Sequence, residues 1–427
     1  MRECLSLSAA DSLERWLCFV QSQHPAAIEM GLERVEQVRA RMGLELSCPV
    51  ITVGGTNGKG STCALLEAML MEAGYRTGCY TSPHLHAYPE RVRIAGRMAT
   101  EQSLVAGFAA VEAVRGGIPL TYFEFGTLAA AWLLREAQVE AAVLEVGLGG
   151  RLDAVNIFDA DCAVITSVGI DHVQWLGPTR ETIGREKAGI FRAGRPAVIA
   201  DRRVPDSMLD HAGRVGTRIL RLGVEFEVEA DAAQWRYRGP GGVRGGLPHP
   251  ALRGAHQLDN AAAAITALDT LREQIPVDMT SIRRGLVSAT LPGRFQVLPG
   301  RPVIILDVAH NPNAAQCLAH SLASMGPFHE TFAVFGMLAD KDIEGVVGAL
   351  QPHVDRWFVA PLPGPRGASA DRIVAALDAQ HVLDAVHVCA DVADALARAR
   401  AAARPDDRIL VVGSFVTVDA AWVAPAA

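Results

Sequence analysis

Pro49-Val50-Ile51-Thr52-Val53-Gly54, followed by Gly55-Thr56-Asn57-Gly58-Lys59-Gly60-Ser61, is the stretch on which the fold turns. The first run is short, apolar and closed by glycine, as a strand buried in a parallel sheet would be. Beyond Lys59, apolar side chains recur at helical spacing (Leu65, Leu66, Met69, Leu70, Ala73) and Gly74 supplies a stop. Between strand and helix, a glycine-rich loop can wrap its N–H groups around phosphates while a lysine neutralises the outer oxygens. A hydroxyl at Ser61 or Thr62 is placed to reach Mg²⁺. The loop departs from the common phosphate-loop pattern: Val53 stands where the first glycine is expected, and Gly60 separates lysine from serine. The bland alternative is a glycine turn that binds nothing, and strand, helix and lysine together weigh against it. The loop alone does not separate kinases, switches, motors and ligases, although the lack of an Asn-Lys-x-Asp run weakens the guanine-nucleotide switch.

Outward from the loop, strand-like runs at Cys79–Thr81, Ala142–Val146 and Cys162–Ser167 alternate with helical stretches. That alternation predicts an α/β fold with an open parallel sheet covered by helices. Residues 215–250 are rich in Arg and Gly and read as an irregular or hairpin-bearing insertion. Helical character returns at Asn260–Leu271 and Ser281–Leu286, and Pro292-Gly293-Arg294 with Pro299-Gly300 reads as a linker. A second series follows: a strand at Val303–Asp307, a helix near Asn313–Met325, then strands at Phe332–Phe335, Trp357–Ala360, Val386–Cys389 and Ile409–Val412. Two unlike α/β domains with a cleft between them are expected, 1–296 and a smaller, Rossmann-like 297–427. A chain of 427 residues is in any case long for one core.

Half of the residues are apolar and a fifth charged, which fits a globular protein. The net charge of −7 gives no electrostatic case for nucleic acid, so any anionic ligand must be held by local features. Cys4, Cys18, Cys48, Cys63, Cys79, Cys162, Cys317 and Cys389 are scattered without a C-x-x-C pair, so reduced thiols are expected rather than a metal cluster or disulfide framework. Charges at Arg2, Glu3, Asp11, Glu14 and Arg15 break the N-terminus and argue against a secretory signal. No apolar run approaches the roughly 18 residues a membrane span needs. A cytoplasmic monomer that binds neither membrane nor nucleic acid is the expectation.

Gly55-Thr56-Asn57-Gly58-Lys59 resembles the nucleotide loop of the Mur ligase superfamily, and its extension Gly60-Ser61 resembles the folylpolyglutamate synthase branch. Further segments agree in order: Met30-Gly31-Leu32-Glu33-Arg34-Val35, Thr81-Ser82-Pro83-His84-Leu85, Glu90-Arg91-Val92-Arg93, Tyr122-Phe123-Glu124-Phe125-Gly126-Thr127 and Leu144-Glu145-Val146-Gly147-Leu148-Gly149-Gly150-Arg151-Leu152-Asp153. Asp171-His172, Gly184–Phe191, Pro292–Gln296, Asp307-Val308-Ala309-His310-Asn311-Pro312 and Gly336–Asp342 continue the series. The pattern is similar to that of the bacterial bifunctional dihydrofolate synthase/folylpolyglutamate synthase family.

The resemblance implies a P-loop ATPase domain that also binds pteroate, and a C-terminal domain that closes over ATP and binds glutamate. It implies ATP-dependent ligation of L-glutamate to dihydropteroate and to reduced folates through an acyl phosphate. By the same resemblance, Gly55, Thr56, Asn57, Gly58, Lys59, Gly60, Ser61, Asn260, Arg294 and Asp307 contact ATP. Ser82, Glu145 and His172 would hold Mg²⁺, two ions being expected, although imidazole is an unusual partner for so hard a cation. Lys187 would be carbamylated and, with Lys59 and His310, catalytic. Met30, Gly31, Leu32, Thr121, Tyr122, Phe123, Glu124, Leu152, Asp153 and Ala154 would line the pteroate site, with the two aromatics stacking on the pterin and Glu124 or Asp153 accepting its N–H groups.

Each residue also has a plainer reading. Glu145 suits a structural salt bridge, His172 a satisfied histidine, Lys187 a solvated helix lysine, and Tyr122 and Phe123 a core or sheet edge. His310 either takes part in catalysis or holds the turn before Asn311-Pro312. A Mur-type peptidoglycan ligase is the second enzymatic reading, and the phosphate loop begins too early in this chain for the extra domain such enzymes carry. A decayed nucleotide-binding scaffold is the third, against which stands the joint presence of Lys59, Glu145, His172, Lys187, Arg294 and Asp307.

Overall fold

The computed structural model describes residues 10–382 and 385–422; Arg2, Glu3 and Cys4 of the N-terminal reading lie outside them. The chain forms two compact units. One runs to Ala251 and resumes over Leu258–Ala289; the other takes Leu252–Gln257 and the chain from Thr290 on.

Among the described residues the first unit is built on an eight-stranded sheet: β1 (Val50–Gly54), β2 (Thr77–Tyr80), β3 (Val92–Ile94), β4 (Arg97–Met98), β5 (Ala141–Glu145), β6 (Cys162–Ile165), β7 (Pro196–Ile199) and β8 (Arg218–Arg221). Their order is β4-β3-β2-β5-β1-β6-β7-β8. The sheet is mixed rather than wholly parallel, because β3 and β4 pair antiparallel at one edge. The strands β1, β5, β6 and β7 are buried along their whole length, which is why they are continuous apolar runs without alternation. Strand β1 lies between β5 and β6, with Val53 paired to both Glu145 and Val164. The loops after β1, β5 and β6 therefore leave the same sheet edge side by side, where ligands of α/β sheets bind.

One apolar cluster of this unit gathers Trp16, Phe108, Phe125 and Leu128; a second gathers Ile165, Ile183, Ile190 and Met208. Helices Glu101–Arg115 and Tyr122–Glu136 open on Thr100 and Thr121, whose hydroxyls accept from the N–H three residues on. The region read as an insertion is ordered: β8 extends the main sheet, and β9 (Glu227–Ala230), β10 (Trp235–Gly239) and β11 (Gly242–Leu247) form a separate antiparallel sheet. Buried Trp235 and Tyr237 alternate there with exposed arginines, a period-2 signal diluted by glycines.

The second unit carries a sheet ordered β12-β13-β17-β14-β15-β16: β12 (Gln296–Leu298), β13 (Val303–Asp307), β14 (Thr331–Phe335), β15 (Arg356–Val359), β16 (Val386–Val388) and β17 (Arg408–Val412). All pairings are parallel except that of β12 with β13. Part of the stretch that reads as a linker is thus an edge strand, and its prolines and glycines sit at the ends of that strand. Phe295, Ile305, Phe335, Trp357 and Leu410 are among this unit's core.

Candidate active site

The phosphate loop joins β1 to the helix Lys59–Glu72, whose N-cap, Gly58, has φ +89°. The segment after β6 pins it. Thr56 N donates to the Ser167 carbonyl at 2.8 Å and Asn57 N to Ser167 Oγ at 3.0 Å. Thr166 Oγ1 donates to the Asn57 carbonyl at 2.6 Å, while Thr56 Oγ1 both donates to the Gly169 carbonyl and accepts from Gly169 N. Two glycines are required by space and conformation: a Cβ on Gly55 (φ +144°) would lie 1.9 Å from Thr166 Oγ1, and one on Gly58 would lie 2.6 Å from Asn260 Oδ1. Asn260 is thereby set against the loop from the helix His256–Thr270. Lys59 Nζ arches over the loop, donating to the carbonyls of Gly55 and Thr56 at 3.2 and 3.3 Å.

Beside the loop lies Glu145, the buried end of β5; its Oε2 accepts from Ser82 N at 3.0 Å. The strand end that carries Ser82 is braced by Arg93, which donates to Glu67 Oε2 (2.8 Å), Thr81 Oγ1 (3.3 Å) and Cys79 Sγ (3.2 Å). His172 has φ +51° and is the N-cap of the short helix Val173–Leu176; its N–H donates to Asp171 Oδ1 at 2.8 Å. Trp175 of that helix is exposed, at 38%.

Lys187 is 3% exposed, on the inner face of the helix Arg180–Ala188. Burial and the neighbouring Lys59 cation push its amine down to about 7, against the pull of Asp171 and Asp153. Asp153 is pushed up to about 6 by burial, although amides of Leu148 and Val155 and the Lys59 charge oppose the shift. Lys59, Lys187, Asp153 and Asp171 therefore act on one another within a single neighbourhood. Such opposed, environment-tuned groups mark functional sites more often than structural ones.

The residues expected at the pteroate site meet along one wall of the same unit. Phe123 stacks on Tyr80 at 6.0 Å, and a Cβ on Gly147 would lie 2.6 Å from its ring. Tyr122 meets Tyr88 edge-on at 5.8 Å, under the Arg91 guanidinium at 5.5 Å. Both remain half-exposed, whereas Thr121 and Glu124 are buried in a capping box. Asp153 caps the turn Ala154–Ile157, with Ala154 buried and Leu152 half-exposed. Met30 reaches the 147–150 turn, since a Cβ on Gly149 would lie 3.9 Å from its terminal methyl. Gly31 has φ +155°, and Leu32 is the N-cap of the helix Glu33–Arg41.

In the second unit, Asp307 ends β13 and accepts from Phe295 N and Ala309 N, each at 2.8 Å. Burial raises its carboxyl while Arg294 holds it down. The Arg294 guanidinium lies 4.8 Å over the Phe415 ring, and the His310 ring lies 6.2 Å from the same ring. His310 Nδ1 donates to the Val308 carbonyl at 2.9 Å, and Asn311 caps the helix Pro312–Ser324.

Sequence reasoning passed over Thr166 and Ser167 as loop partners, Asp171 beside Lys187, Arg91 over the tyrosines and Phe415 beneath Arg294. A Thr-Ser pair ending the apolar run of β6 was the legible signal for the first two; Phe415 offered none.

The site accepts the groups the loop implies. Gly55 and Gly58 leave backbone where a side chain would fill the cradle, and Thr62 Oγ1, one turn into the loop helix, is buried without a hydrogen-bond partner. Hydroxyl and carboxylate donors at Thr62, Ser82 and Glu145 suit a hard divalent cation.

The comparisons agree with this chemistry. Residues 53–268 match the Mur ligase middle domain, and residues 293–415 match the Mur ligase glutamate ligase domain. A dihydrofolate synthase/folylpolyglutamate synthase of Escherichia coli (strain K12) is 46% identical over 411 residues, 96% of this chain and 94% of that protein. The solved structure of E. coli FolC in complex with DHPP and ADP superposes with a TM-score of 0.93 at 45% identity, covering 97% of this chain and 98% of that one. A bifunctional folylpolyglutamate synthase/dihydrofolate synthase with Mn, AMPPNP and L-glutamate bound has a TM-score of 0.90 at 45% identity and the same coverage. This chain belongs to the Mur ligase family, in its dihydrofolate synthase/folylpolyglutamate synthase branch.

Proposed function

We propose that the protein uses ATP to join L-glutamate to dihydropteroate, giving dihydrofolate, and to reduced folates, giving folylpolyglutamates. The observation that carries this reading is the loop cradle with Lys59, Glu145 and a buried, partly neutral Lys187 at one sheet edge, in a chain similar over nearly its whole length to enzymes of that name. The γ-phosphoryl group passes from ATP to an acceptor carboxylate oxygen and ADP departs. The glutamate amine then attacks the acyl carbon, phosphate leaves with that oxygen, and the amine loses a proton. Lys59 and the loop amides bind the phosphates, and Asn260, Arg294 and Asp307 contact the nucleotide; Arg294 suits phosphate through its planar fork. Ser82, Glu145 and His172 would hold Mg²⁺, which neutralises phosphate charge when bound.

Lys187 is proposed to be carbamylated. Its amine is pressed toward the neutral, nucleophilic form, and addition to carbon dioxide with loss of a proton replaces a badly solvated cation by an anion near Lys59. Tyr122 and Phe123 offer faces to the pterin, His310 acts in catalysis, and the second unit binds glutamate. The proposed setting is the cytoplasm. Among the described residues no helix is long and apolar enough to cross a membrane.

The test is ATP turnover with Mg²⁺ in four mixtures: enzyme alone, with L-glutamate, with dihydropteroate and L-glutamate, and with a reduced folate and L-glutamate, products being followed by mass. ADP and a product heavier by one glutamyl unit with both acceptors is the expected result. Product with the reduced folate alone reduces the enzyme to a polyglutamate synthase, and turnover independent of acceptor refutes the folate reading.

A further inference from the structure

The segments Met30-Gly31-Leu32 and Thr121–Glu124 are far apart in sequence, and Arg34 joins them. Arg34 Nη2 donates to Glu124 Oε1 at 3.0 Å across 90 positions. The same guanidinium turns back on its own loop: Nη1 donates to the Glu29 carboxylate and Nη2 to the Glu29 carbonyl at 3.1 Å. Glu29 Oε2 in turn lies 3.0 Å from His24 Nε2, and His24 Nδ1 accepts from Ala26 N at 3.1 Å. Glu124 is the buried end of this chain; its other oxygen accepts from Thr121 N at 2.7 Å.

Three consequences follow from the connectivity. Glu29 and Arg34 flank Met30-Gly31-Leu32 and close it into a short loop. Arg34–Glu124 fastens that loop to the N-terminus of the helix bearing Tyr122 and Phe123. Both Glu124 oxygens are engaged within the frame, which makes its carboxylate a part of the wall. Arg34 Nε is buried and donates to nothing, so the two carboxylates, not its own best hydrogen bonding, dictate how the guanidinium lies. A lysine cannot replace it, since a single ammonium lacks the fork that spans two carboxylates.

We propose that Glu29, Arg34 and Glu124 form a clasp that positions the acceptor substrate by fixing the depth of Met30-Gly31-Leu32 against Tyr122 and Phe123, and hence the slot for a flat fused ring. The inference rests on reading those two segments as the pteroate site. None of the three is a catalytic residue; they act through the loop they hold.

Steady-state kinetics of Arg34→Lys, Glu29→Gln and Tyr122→Ala, with dihydropteroate varied and then ATP varied, tests it. Arg34→Lys is expected to raise KM for dihydropteroate about tenfold while kcat and KM for ATP stay within about twofold, as displacement of a remote positioning element does. Glu29 is exposed, so Glu29→Gln is expected to move the same KM by about threefold with no change in the thermal midpoint. If Tyr122→Ala raises KM for dihydropteroate and neither clasp variant does, the clasp is a structural brace only and the proposal is wrong. If Tyr122→Ala also leaves that KM unmoved, the site reading itself fails and the proposal falls with it.

Discussion

The phosphate loop and the wall proposed to face the acceptor are built in opposite ways. The loop is held through its own backbone groups: amides of Thr56 and Asn57 on the Ser167 carbonyl and hydroxyl, carbonyls of Gly55 and Thr56 on the Lys59 ammonium, and glycines where no side chain fits. The wall is held by side chains from distant parts of the chain: Arg34 on Glu124, Arg91 over Tyr122, Phe123 on Tyr80, Asp153 on the 148 amide. A backbone cradle recognises a group common to every nucleotide and tolerates little change. A side-chain wall can be retuned residue by residue, which suits its proposed part in distinguishing acceptors.

If that contrast is right, Lys59→Ala should cost about a thousandfold in kcat/KM with either acceptor, the range for removing one preorganised charge contact. A loss confined to one acceptor would break the contrast at its strongest point. Gly58→Ala comes next. A side chain at φ +89° and 2.6 Å from Asn260 is expected to cost roughly 1–3 kcal/mol in denaturant unfolding and to raise KM for ATP, leaving that for dihydropteroate unchanged. Equal rises in both constants would mean that loop and wall are one structure.

Asp153→Asn probes the wall from the other side. It keeps one acceptor for the turn and removes the charge near Lys59, so KM for dihydropteroate should rise with little change for ATP. A further prediction is a pH trend in the ligand-free, uncarbamylated protein. Burial holds the Lys187 amine down at about 7 against an ordinary 10.5, so the unfolded chain binds the extra proton between those values. Lys187→Met should therefore raise the thermal midpoint most below pH 7, the advantage shrinking as pH climbs toward 10.5. An advantage that does not depend on pH would show that Lys187 destabilises through shape rather than charge.

The same contrast explains what was legible before the structure. The loop, β1, β5, β6 and five strands of the second unit could be read because a continuous apolar run or a glycine pattern is local. The helices Glu101–Arg115 and Tyr122–Glu136 escaped a strand-led reading, and the β9–β11 sheet looked irregular because glycines interrupt its alternation. Strand β12 was obscured by flanking prolines and glycines. Nothing near Arg34 announces Glu124, and nothing near Arg294 announces Phe415. Pairings of that kind exist only once the chain has folded.

Trp175 gives the protein an optical property. Trp16, Trp235 and Trp357 are almost wholly buried, so their indoles emit from an apolar, shielded surround. Trp175 stands in water three residues from His172, on a helix too short to hold itself rigid. Its emission lies to the red of the buried indoles and is open to quenching by iodide or acrylamide. Trp132 and Trp422 are half-buried and lie elsewhere in the chain, so occupation of the turn at His172 should shift and shield the Trp175 component while theirs stays constant, a fluorescent gauge of that turn readable without a label in a stopped-flow trace.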